Sequence, residues 1–357
     1  MLFTPGPTMI EQEVRDIAAR QMPYFRDGSY TSMVSELTEN AKYLFQTKNT
    51  PLTITASGSG VMEMAIVNLL NAGDEVVVLN CGTFGKKWVT MCQAFGVKVR
   101  EIVVPLGKIP DLNELNESLK GNIKALLVTA HETSTGLLND IEAIGQLTCK
   151  KDILFIVDAV SSIGADVFRM DDWHCDCAVV SSQKALACMP GISFIAFSEK
   201  AWDVIPSVTQ PRYYFDAEEY KVNISRGMLP YTPVIGVTYQ LDYRLKQIKS
   251  LGLDNFILKH QSRADVFRSR MLANGVFSTF VERPSNAMTS IKLPDYCNMR
   301  DMIAYINDRY AWHLAPNPTG DSSYLRVSHM GDLAEADLLL LAERLEQAAD
   351  HLKNINS

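Results

Sequence analysis

The chain has 357 residues, 47% of them hydrophobic, and a formal net charge of −7. This acidic balance excludes the basic surface through which proteins bind nucleic acids or anionic membranes, and no apolar run reaches the roughly 18 residues of a membrane-spanning helix. The seven cysteines have no regular spacing, which indicates a reducing compartment and no structural metal. The N-terminus has no basic stretch followed by an apolar one, so we expect no secretory signal and a cytoplasmic protein.

Short apolar runs alternate with amphipathic segments between residues 50 and 200. Strands are predicted at 51–56, 75–80, 97–104, 123–130, 153–159, 177–182 and 192–197. Helices are predicted between them at 61–71, 85–95, 111–120 and 140–149. This alternation predicts an α/β fold whose large domain contains a mainly parallel, seven-stranded sheet covered on both faces. Binding residues are then expected at the carboxyl ends of the strands.

The alternation of short strands and helices ends after residue 199. Residues 199–235 are rich in aromatic side chains and prolines, which predicts a long ordered excursion rather than a linker. Helices are predicted at 234–250 and 252–274. The last hundred residues predict a small α+β domain with strands at 276–281, 287–293, 312–316 and 323–329 and helices at 299–309 and 334–351. We expect an N-terminal arm (1–20) that joins the active site, a large domain (21–260) and a small C-terminal domain (261–357).

Two predicted strands of the large domain are followed by small residues and glycines. The stretch "SGSG" (57–60) opens a helix, where free N–H groups and the helix dipole favour a phosphate group, although a plain tight turn would have the same composition. The stretch "CGTFG" (81–85) places Phe84 at the next strand end. That ring is either a core residue or a platform for a planar cofactor.

An acid and a lysine follow two later strands. Asp158 ends a strongly apolar run, where burial without a partner would be costly. Lys184 follows the next strand among small residues, and it is either a surface lysine with a buried stem or a nucleophile of lowered pKa that forms a Schiff base with an aldehyde. An acid facing a pyridine nitrogen keeps the ring able to accept electrons. The four features, in this order, fit pyridoxal 5′-phosphate.

The whole chain resembles the class V, fold-type I aminotransferases that depend on pyridoxal phosphate. It is similar to the alanine–glyoxylate and serine–glyoxylate (serine–pyruvate) group, with the 2-aminoethylphosphonate–pyruvate aminotransferases as neighbours. The motifs that carry the resemblance are "TPGPT" (4–8), "SGSG", "CGTFG", "HETSTG" (131–136), "VDAVSSIG" (157–164), "SSQKAL" (181–186), "YTP" (231–233) and "YLRVSH" (324–329).

The resemblance implies a role for each matching residue. Lys184 would form the Schiff base and Asp158 would face the pyridinium nitrogen. The other implied cofactor contacts are Ser59, Gly60 and Gln183 at the phosphate, Val61 beside them, Phe84 and Val160 on the two ring faces, Ser134 near the ring oxygen, and Thr232 from the partner subunit of a homodimer. Arg326 would bind the substrate carboxylate as a bidentate fork, and Gly6 would lie close to the substrate.

The sequence departs from the family at two of these positions. Phe84 stands where relatives often have Trp, Tyr or His, so the ring has no polar group. Leu229 stands where some relatives send a tyrosine to the phosphate of the partner subunit. A leucine side chain has no group that could bind that phosphate.

These residues predict a ping-pong transamination from a small amino acid, alanine or serine, to glyoxylate or pyruvate. A 2-aminoethylphosphonate–pyruvate or aspartate-type aminotransferase is the alternative if Arg26, Arg212 or Arg226 forms a second anion site. A cysteine desulfurase or lyase is a further alternative, in which Cys297 is the only cysteine late enough in the chain. A non-catalytic nucleotide-binding α/β module would leave the order of Asp158, Lys184 and Arg326 unexplained.

Overall fold

Strands and helices alternate along most of the chain, of which the computed structural model describes residues 1–273 and 275–356. The helices are α1 (Gln12–Ala18), α2 (Gly28–Phe45), α3 (Gly58–Leu69), α4 (Thr83–Ala94), α5 (Leu112–Ser118), α6 (Ile141–Cys149), α7 (Glu199–Val204), α8 (Ala217–Ile224), α9 (Ile235–Leu251), α10 (Leu253–Leu272), α11 (Met299–Tyr310) and α12 (Glu335–Asn356). The strands are β1 (Leu52–Ile54), β2 (Glu75–Asn80), β3 (Lys98–Val103), β4 (Ala125–Thr129), β5 (His131–Glu132), β6 (Leu137–Leu138), β7 (Leu154–Asp158), β8 (Cys177–Ser181), β9 (Ser193–Phe197), β10 (Met288–Lys292) and β11 (Tyr324–Ser328).

A seven-stranded sheet forms the centre of the fold, in the order β1-β9-β8-β7-β4-β2-β3. The five strands from β8 to β3 run parallel, whereas β9 is antiparallel to both β8 and β1. The seven predicted strands of the large domain and the mainly parallel sheet are therefore confirmed. The helices predicted at 61–71, 85–95, 111–120 and 140–149 form as α3, α4, α5 and α6.

The strand register brings the ends of several strands to one edge of the sheet. Thr129 of β4 lies opposite Asp158 of β7, and Asp158 lies opposite Val179 of β8. Ser193 of β9 lies opposite both Ser181 of β8 and the last residue of β1. The segments that follow β1, β4, β7 and β8 therefore start close together, which is where the sequence places its candidate site residues.

The sheet is apolar on both faces because alternate residues enter two different cores. Val77 and Leu79 of β2 belong to one cluster of buried side chains, and Val76 and Val78 belong to the other. Helices cover both clusters, as a parallel sheet requires. Burying each such side chain contributes roughly 1.5–3 kcal/mol to folding, so the position of the strand ends is rigidly fixed.

A third core cluster lies in the C-terminal part of the chain. The antiparallel pair β10–β11 packs there with α11 and α12, and Phe3 of the N-terminal segment is buried in the same cluster. Helix α10 links the cores, since Ile257 packs in the first cluster and Phe267 in the third. The expected boundary after residue 260 falls inside this continuous helix and stays a prediction; residues 274 and 357 lie outside the described residues.

Two strands predicted for the C-terminal part are wrong. Residues 276–281 form a single bridge, Ser278 with Lys292, because Phe277 turns into the third cluster while Phe280 packs against the ring of Tyr324. Residues 312–316 also form a single bridge, between Leu2 and His313. The N-terminal segment pairs with this stretch, since the Phe3 N–H donates to the His313 carbonyl. The Arg326 side chain donates a hydrogen bond to the Pro316 carbonyl.

The remaining predicted elements form close to their expected bounds. Helices α9 to α12 correspond to those predicted at 234–250, 252–274, 299–309 and 334–351. Residues 199–235 are ordered around α7 and α8, with Tyr220 and Leu229 buried. Helices α1 and α2 lie in a stretch for which the sequence pattern predicts no element. In the part of the chain that the structure describes, no helix is both long and apolar enough to cross a membrane.

Candidate active site

Lys184 lies just after β8, beneath the N-terminal segment. Its Nζ donates a hydrogen bond to the carbonyl of Pro5 at 2.7 Å, and the Thr8 hydroxyl donates to the Lys184 carbonyl at 3.3 Å. A Cβ on Gly6 would lie 2.6 Å from the lysine Nζ, and the φ of +132° at Gly6 is one that residues with a side chain rarely adopt, so this position favours glycine. Burial lowers the pKa of Lys184 to about 8; the charge of Asp158 acts in the opposite direction, and Arg326 adds to the lowering.

Asp158 ends β7 and is 4% exposed. Its side chain accepts a hydrogen bond from the Val160 N–H at 3.0 Å and forms no ion pair with any described residue. Burial raises the pKa of this carboxyl group to about 6, although the Val160 N–H and the charges of Lys87 and Lys184 favour the ionised form. A buried carboxylate with so little compensation is suited to a cationic partner that the chain itself does not supply.

His131 follows β4 and faces the same group of charges. Its Nδ1 lies 3.3 Å from the Ser161 carbonyl, and its Nε2 has no hydrogen-bond partner among the described residues. Burial lowers the pKa of His131 to about 3, and Lys184 and Arg326 lower it further through their charges. The ring is therefore neutral near pH 7. The sequence marks "HETSTG" as a polar cluster but gives no reason to single out this histidine.

Glu132 fixes the start of α4 and with it the position of Phe84. Its fully buried carboxylate accepts hydrogen bonds from the N–H groups of Phe84 at 3.2 Å and Gly85 at 2.9 Å. It also accepts from the N–H and the hydroxyl of Ser134. A carboxylate at a helix N-terminus is stabilised by the free N–H groups and by the helix dipole. Sequence reasoning missed Glu132, because the helix start that it binds lies about fifty residues earlier in the chain.

The first turn of α3, where the phosphate cradle is expected, is closely packed at both of its glycines. A Cβ on Gly58 would lie 2.9 Å from the Ser181 hydroxyl, and one on Gly60 would lie 2.9 Å from the Ala56 side chain. The hydroxyl of Ser59 accepts a hydrogen bond from Lys87 Nζ at 3.0 Å, and the same Nζ lies 5.1 Å from the centre of the Phe84 ring. Lys87, on α4, is a second residue that sequence reasoning missed.

The other implied cofactor residues occupy different surroundings. Val160 is half-buried, and a Cβ on Gly58 would lie 3.0 Å from it, so it borders the cradle. Gln183 is half-buried beside Lys184, where its Oε1 accepts from Ser182 at 3.4 Å. The side chain of Val61 is fully buried in the second core cluster and does not face this group. Thr232 is exposed on the protomer, as a residue that serves a partner subunit would be.

Arg326 reaches the site from β11. Its Nη1 donates to the Thr133 carbonyl at 2.8 Å and its Nη2 to the Pro316 carbonyl at 2.5 Å, while Nε has no partner among the described residues. The side chain is 6% exposed, and burial lowers its pKa to about 10. Tyr324, two residues earlier, donates to the Ser134 carbonyl at 2.8 Å. A buried guanidinium without an acidic partner favours binding of a carboxylate.

The three arginines considered for a second anion site do not join this group. The Arg212 guanidinium is occupied by three main-chain carbonyl groups and by the nearby Asp216. Arg226 is exposed and bonds within its own helix turn, to the Val222 carbonyl. Arg26 is exposed, with its guanidinium 5.1 Å from the ring of the preceding phenylalanine.

The assembled residues fit pyridoxal phosphate. The structure brings together a lysine of lowered pKa, a buried acid without a cationic partner, an accessible aromatic ring and a glycine-lined turn at the start of a helix. Lys184, Asp158 and Arg326 each shift the pKa of another member of the group, so they lie within electrostatic reach of one another. Lys184 and Asp158 would hold the reactive ring, and the start of α3 would hold the phosphate.

Known proteins resemble this chain over nearly its whole length. The profile of the family "Aminotransferase class-V" matches residues 12–314. An L-aspartate–glyoxylate aminotransferase of Paracoccus denitrificans is 31% identical over 94% of this chain and 87% of its own length. A serine–glyoxylate aminotransferase of Methylorubrum extorquens is 32% identical over 95% of this chain and 88% of its own length.

A solved structure shows the same architecture. The alanine–glyoxylate aminotransferase of a Nostoc species matches with a TM-score of 0.93 and 26% identity, and covers 97% of this chain and 94% of that one. The fold, the cofactor and the family that the sequence motifs predict are confirmed by these likenesses. The chain belongs to the class V aminotransferases, enzymes that depend on pyridoxal phosphate.

Proposed function

We propose that this enzyme transfers the amino group of a small neutral amino acid, alanine or serine, to glyoxylate or pyruvate by a ping-pong mechanism. The observation that carries the proposal is the buried guanidinium of Arg326, which has no acidic partner among the described residues and can take one carboxylate. Arg212, by contrast, pairs with Asp216 at 3.5 Å, and the contacts of Arg26 and Arg226 lie outside the site of their own protomer. The names of the serine and alanine relatives support the same pair of substrate classes.

Arg326 and Lys184 would act on the substrate in turn. When bound, pyridoxal phosphate supplies an aldehyde that condenses with amines and a ring that accepts an electron pair. Arg326 would hold the substrate carboxylate and so orient its Cα. Lys184 would serve first as the nucleophile towards the aldehyde of the cofactor. Once displaced by the substrate amine, it would be the base that takes the proton from that Cα. Its lowered pKa, about 8, makes the neutral amine accessible near pH 7.

Asp158 and Phe84 would hold the cofactor in place for this proton transfer. The Asp158 carboxylate would stabilise a protonated ring nitrogen by its charge, without itself transferring a proton. That interaction would also lower the pKa of Asp158 from about 6, because an opposite charge favours the ionised form. Phe84, fixed by Glu132 at the start of α4, would cover one ring face and Val160 the other.

An aspartate donor is the second candidate, favoured by the likeness to the L-aspartate–glyoxylate aminotransferase. An aspartate substrate would need a cation for its second carboxylate. The alternative of a cysteine desulfurase is less well supported, because the Cys297 thiol is buried in the C-terminal core and burial raises its pKa. A thiol that is neither accessible nor ionised is a poor nucleophile.

A panel of amino donors with glyoxylate and pyruvate tests the proposal. We expect alanine or serine to give the highest kcat/KM, and Arg326→Ala to raise the KM of every donor by about tenfold or more through loss of the cation that holds the carboxylate. Arg309→Ala is the control, because Arg309 is an exposed arginine of the same part of the chain. An unchanged KM for all donors in Arg326→Ala contradicts the proposal, and a preference for aspartate selects the second candidate.

We also propose that the active form is a cytoplasmic homodimer. Large apolar and aromatic side chains are exposed on the protomer, among them Tyr213 at 81%, Tyr24 at 67% and Met22 at 65%. Such exposure favours an interface between subunits. Thr232 lies in the same region of the chain as Tyr213, and it would reach the phosphate site of the partner subunit. All seven cysteines are free, which supports a reducing compartment.

A further inference from the structure

Lys87 has a position that the roles given above do not explain. It lies on α4, one turn after Phe84, and its side chain reaches across to α3. There its Nζ donates to the hydroxyl of Ser59 at 3.0 Å. The same ammonium group lies 5.1 Å from the centre of the Phe84 ring. Lys87 therefore connects the expected ring platform with the expected phosphate cradle.

No acid among the described residues pairs directly with Lys87, although its charge acts at longer range on the Asp158 carboxylate. Its neighbour Lys86 pairs with Glu101 at 2.9 Å, whereas no carboxylate lies within ion-pair distance of Lys87 among the described residues. The ammonium group lies instead at the first turn of α3. The positive end of the helix dipole and the free N–H groups make that location unfavourable for a cation. An anion bound at the same place would relieve both effects.

The charges of the wider site have the same imbalance. Lys184, Lys87 and Arg326 are cations within electrostatic reach of one another, since Lys87 and Arg326 both lower the pKa of Lys184. The acids of the group are Asp158 and Glu132, and the charge of Glu132 raises the pKa of Asp158. His131 is neutral, because burial lowers its pKa to about 3. Three cations therefore stand against two acids in this group, and neither Lys87 nor Arg326 forms an ion pair with a described residue.

We propose that Lys87 is a ligand of the cofactor phosphate, acting with Ser59 and the start of α3. This inference rests on the dependence on pyridoxal phosphate and on the proposed cradle at Ser59 and Gly60. Lysine binds phosphate as a point charge and needs no bidentate geometry. Because Phe84 and Lys87 lie three residues apart on one helix face, α4 would hold both the ring and the phosphate of the same molecule.

Binding of two cofactor forms to the apoenzyme tests this role. The dissociation constants of pyridoxal phosphate and of pyridoxal, which lacks the phosphate, are measured by absorbance titration for the wild type and Lys87→Met. We expect Lys87→Met to weaken pyridoxal phosphate binding by about ten- to a hundredfold, the effect of losing one charged hydrogen bond. Pyridoxal binding should stay within about twofold of the wild type, because pyridoxal makes no phosphate contact.

Two variants serve as controls. Lys86→Met removes the same side chain one position earlier, where it is paired with Glu101, and should bind both forms as the wild type does. Lys87→Arg keeps the charge and should retain most of the preference for the phosphate form. The ratio of the two constants is taken within each variant, so a loss of folded protein does not alter it.

Several results would overturn the inference. Unchanged binding of pyridoxal phosphate to Lys87→Met excludes a phosphate contact, and an equal loss for both forms assigns Lys87 to the ring alone. Unchanged cofactor binding with a raised KM for aspartate only would assign Lys87 to the substrate's second carboxylate. A wild-type protein that binds neither form would instead refute the cofactor assignment, which distinguishes that failure from a failure of the Lys87 inference.

Discussion

Lys184 carries a testable electrostatic property of its own. Burial lowers its pKa to about 8, compared with an ordinary value of 10.5. The neutral amine is the nucleophile, so the rate at which the apoenzyme takes up pyridoxal phosphate should rise by about tenfold per pH unit up to about pH 8 and then level off. Stopped-flow absorbance measures this rate. The matching control is Nα-acetyl-lysine in solution, whose rate of reaction with pyridoxal phosphate should rise to a higher pH. If the rate for the enzyme levels off only at that same higher pH, the pKa of Lys184 is not lowered.

Gly6 should be intolerant of any side chain. A Cβ there would lie 2.6 Å from the Nζ of Lys184, and the backbone φ of +132° is one that L-residues rarely adopt. We expect Gly6→Ala to lower kcat/KM by about tenfold or more, because the lysine or the arm must shift. Gly121→Ala separates contact from strain, since Gly121 also has a positive φ of +96° but no neighbour within 4 Å. It should cost about 1 kcal/mol in stability and leave the kinetics unchanged.

If Gly6→Ala and Gly121→Ala have the same kinetics, the close contact between the arm and Lys184 has no role in the reaction. Steady-state kinetics with one donor and one acceptor are sufficient for this comparison. Urea unfolding of both variants shows whether the strain in each case is similar.

Two of the site residues that the sequence predicts share one property. Asp158 and Lys184 follow apolar strands, where position along the chain already indicates the edge of the sheet. Glu132 and Lys87 could not be singled out in this way. Their roles depend on contacts between segments far apart in the chain: Glu132 with the start of α4, and Lys87 with Ser59 on another helix. Neither contact has a periodic pattern that a sequence could display.

Glu132 should stabilise the start of α4 as an element. Its carboxylate accepts four hydrogen bonds, two of them from the first turn of that helix. In Glu132→Gln the amide nitrogen would face donors, so at least one buried N–H loses its acceptor. We expect a loss of about 1–3 kcal/mol in the free energy of unfolding of the apoenzyme, measured by urea denaturation, together with weaker binding of pyridoxal by displacement of Phe84.

Glu142→Gln is the control for this prediction. Glu142 also lies in the first turn of a helix, α6, but it is exposed. Its replacement should change stability by no more than about 0.5 kcal/mol. Equal effects of the two substitutions would mean that Glu132 acts only through the helix dipole and not through its buried hydrogen bonds.

Elements were predictable where burial on both faces makes a short run uniformly apolar. All seven strands of the large sheet form, and β1, β4, β7, β8 and β9 are buried along their whole length, whereas the edge strand β3 contains Lys98, Arg100 and Glu101 and is only partly buried. The runs at 276–281 and 312–316 look similar in sequence, but they form single bridges. Phe277 and Phe280 pack in different places, and the partner of His313 is the N-terminal segment. Only the tertiary arrangement decides between a strand and such a bridge.

The N-terminal segment joins the two parts of the molecule. Phe3 is buried in the C-terminal core and donates its N–H to the His313 carbonyl, while Pro5 and Thr8 bond to Lys184. Helix α10 runs between the same two parts without a break. The segment that covers Lys184 is therefore anchored in the same part of the chain that carries Arg326.

The proposed homodimer makes a prediction about two subunits at once. If Thr232 serves the phosphate site of the partner, then Thr232→Glu should block that site by charge repulsion, although Thr232 is exposed on its own protomer and the substitution should not disturb folding. Lys184→Ala removes the nucleophile of its own subunit. Each variant alone should be inactive, with the mass of a dimer by light scattering.

A hybrid of the two variants should recover activity. The subunit with Thr232→Glu still has Lys184, and it would receive an intact Thr232 from the Lys184→Ala subunit, so one of the two sites in the hybrid is complete. Co-expression with two different affinity tags yields this hybrid, and its transaminase activity and visible cofactor absorbance are compared with those of the two parents. Recovery requires that the site be shared between subunits, because no single chain in the hybrid has both residues. An inactive hybrid of dimeric mass would place Thr232 outside the partner's site, and a monomeric wild type would refute the shared site altogether.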